Sequence, residues 1–262
     1  ALLECAEFYW AKISPAVFGS LFQGVLDEKE RRKQGAHYTS ERDILRVLRS
    51  LCLDDLRAEF EQVKTDRSTR RNANLEAFHA RLRKLKFLDP ACGCGSFLLL
   101  AYRELRTLEI DVVRERLPPQ QRLVDIRTYF QVDVDQFFGI DSDEWAVRIA
   151  EVAMWLMDHQ MNLRVAERFG EYFARLPLTK SPTIVHGNAL RIDWNTVVPA
   201  ARLSYILGNP PFVGGTNISG ELGPAHLAQL RASFPGVHGK ADYCSYWFRL
   251  AHEQLSEGGR AG

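Results

Sequence analysis

From residue 85 onward the chain alternates short apolar runs with long helical stretches, and this rhythm limits its fold more than any other feature. "KFLDP" is an apolar run closed by Asp89 and Pro90, and "QFFGID", "PTIVHGNAL" and "RLSYILGNPPF" repeat the pattern. Between them, "GSFLLLAYRELRTLEIDVVRERL" reads as a long amphipathic helix stopped by Pro118-Pro119, and "SDEWAVRIAEVAMWLMDHQMNL" as a second helix. Strands joined through helices run parallel, and a parallel sheet needs cover on both faces. The expectation is an α/β domain with four strands and a fifth beginning at Gly258-Gly259. A Gly-rich connection over 213–240 comes before the last predicted helix, "DYCSYWFRLAHEQLSEGG".

Residues 1 to about 85 have a different texture. "SPAVFGSLFQGVLDE" has a Ser-Pro start and a stripe through Val17, Phe18, Leu21, Phe22, Val25 and Leu26. Ser40 reads as the N-cap of a second helix with the stripe Ile44, Val47, Leu48, Leu51 and Leu53. A third, very basic helix is expected around 71–85. The chain therefore divides into a helical connector, 1–84, and an α/β catalytic domain, 85–262.

At 262 residues and 46% hydrophobic content, one large domain with a helical annex can bury its core. A net charge of +1 excludes a polycation, so any nucleic-acid contact must come from local patches or from chain outside this sequence. The basic clusters Arg31-Arg32-Lys33, Arg67 with Arg70-Arg71, and Arg81-Arg83-Lys84-Lys86 read as solvated helix faces. Five cysteines with no C-x-x-C pair fit a reduced cytosolic compartment. Cys92 and Cys94 read as small fillers of a turn, and no metal site is expected. No apolar run approaches the ~18 residues of a membrane span, and the start lacks a basic n-region. The final "SEGGRAG" reads as a cut through a longer polypeptide.

Two strand ends carry the candidate chemistry. "FLDPACGCGSFLLL" places Gly93 and Gly95 in a strand-to-helix turn, where backbone N–H groups can approach a ligand. A dinucleotide fingerprint fails because Leu98 occupies its third glycine position, and Asp141 lies more than twice the expected ~20 residues on. No Walker lysine follows, so a P-loop fails as well. Asp89 adds a carboxylate suited to a cationic or amino-bearing ligand. "LGNPPF" ends a strand with a lone amide, a rigid diproline and an aromatic ring. Prolines cannot continue a sheet, so the segment offers stiff, bare carbonyls beside Asn209.

"DPACGCG" resembles the D-P-x-x-G-x-G motif of S-adenosylmethionine-dependent methyltransferases, and "GNPPF" resembles the N-P-P-F motif of DNA adenine-N6 methyltransferases. "QGAHYTSERDIL" is similar to the cofactor motif that precedes the sheet in the gamma-ordered subgroup. Nearly the whole chain resembles the methyltransferase region of the MmeI-like, type IIL restriction–modification polypeptides. Cys94 departs from the serine usual there.

The resemblance implies a Rossmann-like class I fold truncated at its C-terminal edge, with S-adenosyl-L-methionine as cofactor. Asp89, Ala91, Gly93 and Gly95 would meet its methionine moiety, Asp141 its ribose hydroxyls, and Asn188 with Ala189 its adenine. Many relatives carry Asp where Asn188 stands. Tyr38 and Thr39 would close over the methionine end. Asn209, Pro210, Pro211 and Phe212 would be catalytic, with the amide oxygen and the Pro210 carbonyl accepting the two hydrogens of adenine N6. Phe212 would stack on a base flipped out of double-stranded DNA.

Target-recognition and nuclease domains of the full polypeptide are implied partners, in the bacterial cytoplasm and away from any membrane. No nuclease-like P-D…(D/E)-x-K arrangement occurs in this chain. Two alternatives stay open: methylation of a protein or RNA amide or amine, whose enzymes more often carry Tyr at position 212, and a fold that binds cofactor without turnover.

Overall fold

The computed structural model describes residues 39–117, 126–170 and 180–262. Tyr38, the predicted helix through Val17–Leu26 and the Pro118-Pro119 stop lie outside them.

Five strands form one parallel sheet: β1 (Phe87–Asp89), β2 (Phe137–Asp141), β3 (Thr183–His186), β4 (Tyr205–Ile206) and β5 (Arg260–Ala261). Their order across the sheet is β3-β2-β1-β4-β5. Four stand where the apolar runs predict them, and β5 follows Gly258-Gly259 as expected. An aromatic row sets the register, with Phe87 opposite both Phe137 and Tyr205 and its ring stacked on theirs at 5.0 and 5.2 Å. Alternation then sends Phe87 and Phe137 to one face and Leu88, Ile140 and Ile206 to the other, where each set joins a separate core.

The first face is covered by α1 (Glu41–Leu48), α2 (Asp54–Thr65), α3 (Arg71–Lys84), α4 (Ser96–Arg116) and α5 (Glu144–Phe169). The second is covered by α6 (Ile218–Leu222), α7 (Pro224–Ser233) and α8 (Ser245–Gln254). Helices on both faces of a parallel sheet are the doubly wound α/β architecture. Two of these helices, α6 and α7, lie in what the sequence suggests is an irregular connection. Leu230 is the one fully buried residue of α7, too little for a visible stripe.

Ser40 caps α1 as expected, with Asp43 N donating to its Oγ. Between α1 and α2 a π-helical turn, Arg49–Leu53, turns three consecutive residues, Leu51, Cys52 and Leu53, into the core. Residues 41–84 share one continuous core with α4, α5 and the sheet.

This layering changes the reading of α4. Covered by the sheet on one side and by the N-terminal helices on the other, it buries Arg106 and Glu109 completely. Arg106 donates to Glu109, to the Val132 carbonyl and to Asn162 of α5, while Glu109 also bonds His79 of α3. Buried charges survive only when paired in this way. Gln136, at the entry to β2, donates to the Leu82 and Leu85 carbonyls and so occupies two carbonyls at the end of α3. Of the basic clusters, Arg67, Arg70, Arg81, Arg83 and Lys84 are exposed as read, Arg81 while pairing with Glu59, whereas Arg71 and Lys86 are half-buried, Arg71 paired with Glu115; Arg31-Arg32-Lys33 lies outside the described residues. No described helix is long and apolar enough to cross a membrane.

Candidate functional site

The strand order reverses between β1 and β4. In an open parallel sheet, the loops leaving two such strands part company and open a crevice beyond their carboxyl ends. Asp89 closes β1 at this point, and Gly208-Asn209-Pro210-Pro211-Phe212 leaves β4 beside it.

Asp89 is fully buried. Its Oδ1 accepts from Ala91 N at 3.0 Å, fixing the Asp-Pro turn, but its Oδ2 has no partner. Desolvation, reinforced by the Asp141 charge and opposed by the Ala91 bond, raises its pKa to about 8. A buried carboxylate oxygen without a donor is costly unless a ligand supplies one. The observation therefore fits a group that brings an ammonium or N–H to this position.

Gly208 presses against the same carboxylate, and a Cβ there would collide with Asp89 Oδ1; its φ of +149° also belongs to glycine. The signal for this residue, a glycine directly before Asn209, was present in the sequence but carried no role there. A second unforeseen support is Trp247 of α8, whose Nε1 donates to the Pro90 carbonyl at 3.1 Å. Trp247→Phe is expected to leave that buried carbonyl unpaired and cost about 1–3 kcal/mol, checked by urea denaturation.

The glycine turn is pinned to β2. Cys92 N donates to the Ile140 carbonyl, and Gly93 N donates to Asp141 Oδ2 at 2.7 Å. Gly93 and Gly95 take φ of +52° and +83°. A Cβ on Gly95 would sit 3.1 Å from Ala150 Cβ, so the glycine lets α4 start close against α5. Cys92 fills the space beside Gly139, where a Cβ would come within 2.8 Å of its Sγ.

Asp141 holds two backbone donors, Gly93 N and Asp143 N, one on each oxygen. Two oxygens offer about four acceptor positions, so it can take further hydroxyl protons. Burial raises its pKa, and the backbone bonds from Asp143 and Gly93 oppose that rise. Asp143 caps α5 through Trp145 N and Ala146 N, which leaves Asp141 outside the cap.

Asn188 follows β3, and its Oδ1 accepts from Leu190 N in a local turn. Ala189 is buried, and its carbonyl accepts from Trp194 Nε1. Asn209 is exposed, and its Nδ2 donates to Thr39 Oγ1 at 3.1 Å. Pro210 and Pro211 are half-buried, and Phe212 keeps 59% of its surface open. The following residues are anchored: Val213 N donates to Asp242, and the Val213 carbonyl accepts from Tyr243 N. A groove of about 830 Å³ lined by Arg83, Lys86, Lys180 and Arg202 lies at the amino ends of the strands, away from these residues. At the carboxyl ends of the strands, Asp89 thus meets Ala91 and Gly208, Gly93 is bonded to Asp141, and Asn209 to Thr39.

A solved structure described as the type IIL restriction–modification enzyme MmeI in complex with DNA superposes with a TM-score of 0.89 and 46% identity over 99% of this chain. "DNA methyltransferase A" of Bacillus subtilis (strain 168) is 37% identical over 97% of the chain. A "Putative type II restriction enzyme and methyltransferase" of Methanocaldococcus jannaschii is 24% identical over 55% of it. The chain spans 34% of the MmeI structure's chain and 28% of the Bacillus relative. Residues 63–260 match the family model described as "MmeI, DNA-methyltransferase domain", and the protein belongs to that family.

Proposed function

We propose that this chain transfers a methyl group from S-adenosylmethionine to N6 of adenine in double-stranded DNA, as the methyltransferase part of a bacterial restriction–modification polypeptide. Residues 1–84 serve as its helical connector and 85–262 as its catalytic domain. One observation carries this reading: the unpartnered buried oxygen of Asp89 and the exposed Asn209–Phe212 loop meet at the point where the sheet order reverses. A site for an amino-bearing cofactor therefore adjoins a site for a planar amine.

When bound, the cofactor supplies an electrophilic methyl group on a sulfonium sulfur. Asp89 would accept from its ammonium, Gly93 and Gly95 would allow close backbone approach, Asp141 would accept from its ribose hydroxyls, and Asn188 and Ala189 would hold its adenine. Thr39 would cover the methionine end. The target amine is a weak nucleophile because its lone pair is delocalised into the ring. Acceptors on both amine hydrogens, Asn209 Oδ1 and the Pro210 carbonyl, favour a pyramidal nitrogen with a localised pair. The diproline holds their direction before the reaction begins. Phe212 offers its open face to the extruded base, a stack worth ~1–3 kcal/mol.

Incubating the polypeptide that carries this chain with methyl-tritiated cofactor and DNA, RNA or protein tests the substrate class. Label in DNA as N6-methyladenine is expected; label only in RNA or protein would overturn it. Asp141→Ala is expected to weaken cofactor binding about ten- to a hundred-fold, read by calorimetric titration. Equal affinity would remove Asp141 from the cofactor site.

A further inference from the structure

The hydrogen bond from Asn209 Nδ2 to Thr39 Oγ1 joins residues 170 positions apart. Among the described residues it is the only bond the Asn209 side chain makes, and Oδ1 is left without a protein partner. A primary amide has a donating end and an accepting end, and a half-turn about its last bond exchanges them. On an exposed loop, nothing in Asn209 itself decides which end faces the crevice. A threonine hydroxyl can donate as well as accept; here Thr39 Oγ1 accepts from Nδ2, and that bond holds the amide with Oδ1 turned the opposite way.

Thr39 is well placed to hold this bond. It directly precedes Ser40, the cap of α1, whose own hydroxyl is committed to Asp43 Oδ2 at 2.6 Å. α1 is seated on α4 by buried Ile44 and Leu48 and by the Glu41–Arg103 ion pair. The helical layer therefore delivers one hydroxyl to the crevice from a fixed base.

We propose that Thr39 is a positioning residue for methyl transfer: it orients the Asn209 amide so that Oδ1 faces the target amine. This rests on the reading of Asn209 as acceptor for that amine. It assigns the N-terminal layer a part in the chemical step that is separate from covering the cofactor. Losing the hydroxyl lets the amide populate both orientations, and only one presents the acceptor.

Three variants in the polypeptide that carries this chain test the inference: Thr39→Val, which keeps shape and loses the hydroxyl, Thr39→Ser, which keeps the hydroxyl, and Asn209→Ala. Single-turnover methylation at saturating S-adenosylmethionine and DNA is measured beside the cofactor dissociation constant. A neutron crystal structure of Thr39→Val, which tells the amide nitrogen from the oxygen by its hydrogens, records the Asn209 amide. At saturating cofactor, Thr39→Val is expected to slow single turnover roughly tenfold beyond any loss of cofactor affinity, Thr39→Ser to restore the rate, and the amide to spread over two orientations. A parental rate in Thr39→Val, a defect confined to cofactor affinity, or no rescue by serine would overturn the assignment of Thr39. Parental turnover in Asn209→Ala would instead overturn the functional reading beneath it, whatever Thr39 does.

Discussion

Asn209→Ala is expected to abolish methyl transfer to DNA, a fall of at least about 10²–10³-fold, while cofactor affinity stays within a few-fold. The separation follows from geometry. The Asn209 side chain is exposed and touches the protein through one hydrogen bond, to Thr39, so removing it leaves the core and the Asp89 turn intact. On the proposed reading, what disappears is one of two acceptors for the target amine, and the Pro210 carbonyl alone cannot hold both amine hydrogens. Rapid-quench measurement of single turnover gives the first quantity and calorimetric titration the second. A variant that lost the cofactor as well would show that Asn209 belongs to the cofactor's own pocket.

Asp89→Asn should have opposite effects on the ligand-free and ligand-bound protein. Asp89 has a folded pKa of about 8 against an ordinary 3.8. Between those values the folded chain holds a proton that the unfolded chain has released. Stability therefore falls as pH rises from about 4 to 8, because the unfolded state binds fewer protons over that window. Asparagine keeps an oxygen for Ala91 N but carries no charge. The ligand-free variant should melt above the parent at pH 8, by an amount on the order of a few kcal/mol, and the gap should close towards pH 4.

Cofactor binding should move the other way. An ammonium that pairs with ionised Asp89 displaces its proton, so parental affinity should rise between pH 6 and 8. The variant should bind weakly and without that slope. Thermal melts across pH, with and without S-adenosylmethionine, read both effects. A variant that binds as tightly as the parent with the same slope would place the ammonium elsewhere.

The first four strands were legible because each is a short apolar run with a hard stop, such as Asp89-Pro90 or Gly208 through the diproline, and the fifth only from the glycines before Arg260. Ser40 was legible as a cap because a hydroxyl before an apolar stripe has few other uses. The π-turn at Arg49–Leu53 was not, since Leu51 and Leu53 read as a continuation of the stripe of the helix that Ser40 caps. Nor was the burial of Arg106 and Glu109, because charges on a helix look solvated until another layer covers them. Helices α6 and α7 were hidden by glycines and by how little of their surface is fully buried.

The site divides in the same way. Asp89, the glycine turn, Asp141 and the Asn209–Phe212 loop could be named because strand ends in a parallel sheet collect at one edge, and residue type tells what each can bind. What the chain alone settles is therefore the kind of fold and the chemistry offered at each strand end. The sheet order that sets β1 beside β4, the loss of solvent that leaves Asp89 Oδ2 without a donor, and the meeting of Thr39 with Asn209 were decided only by tertiary structure. These depend on contacts between segments far apart in the chain, and such contacts arise from packing two cores on one sheet rather than from any local pattern.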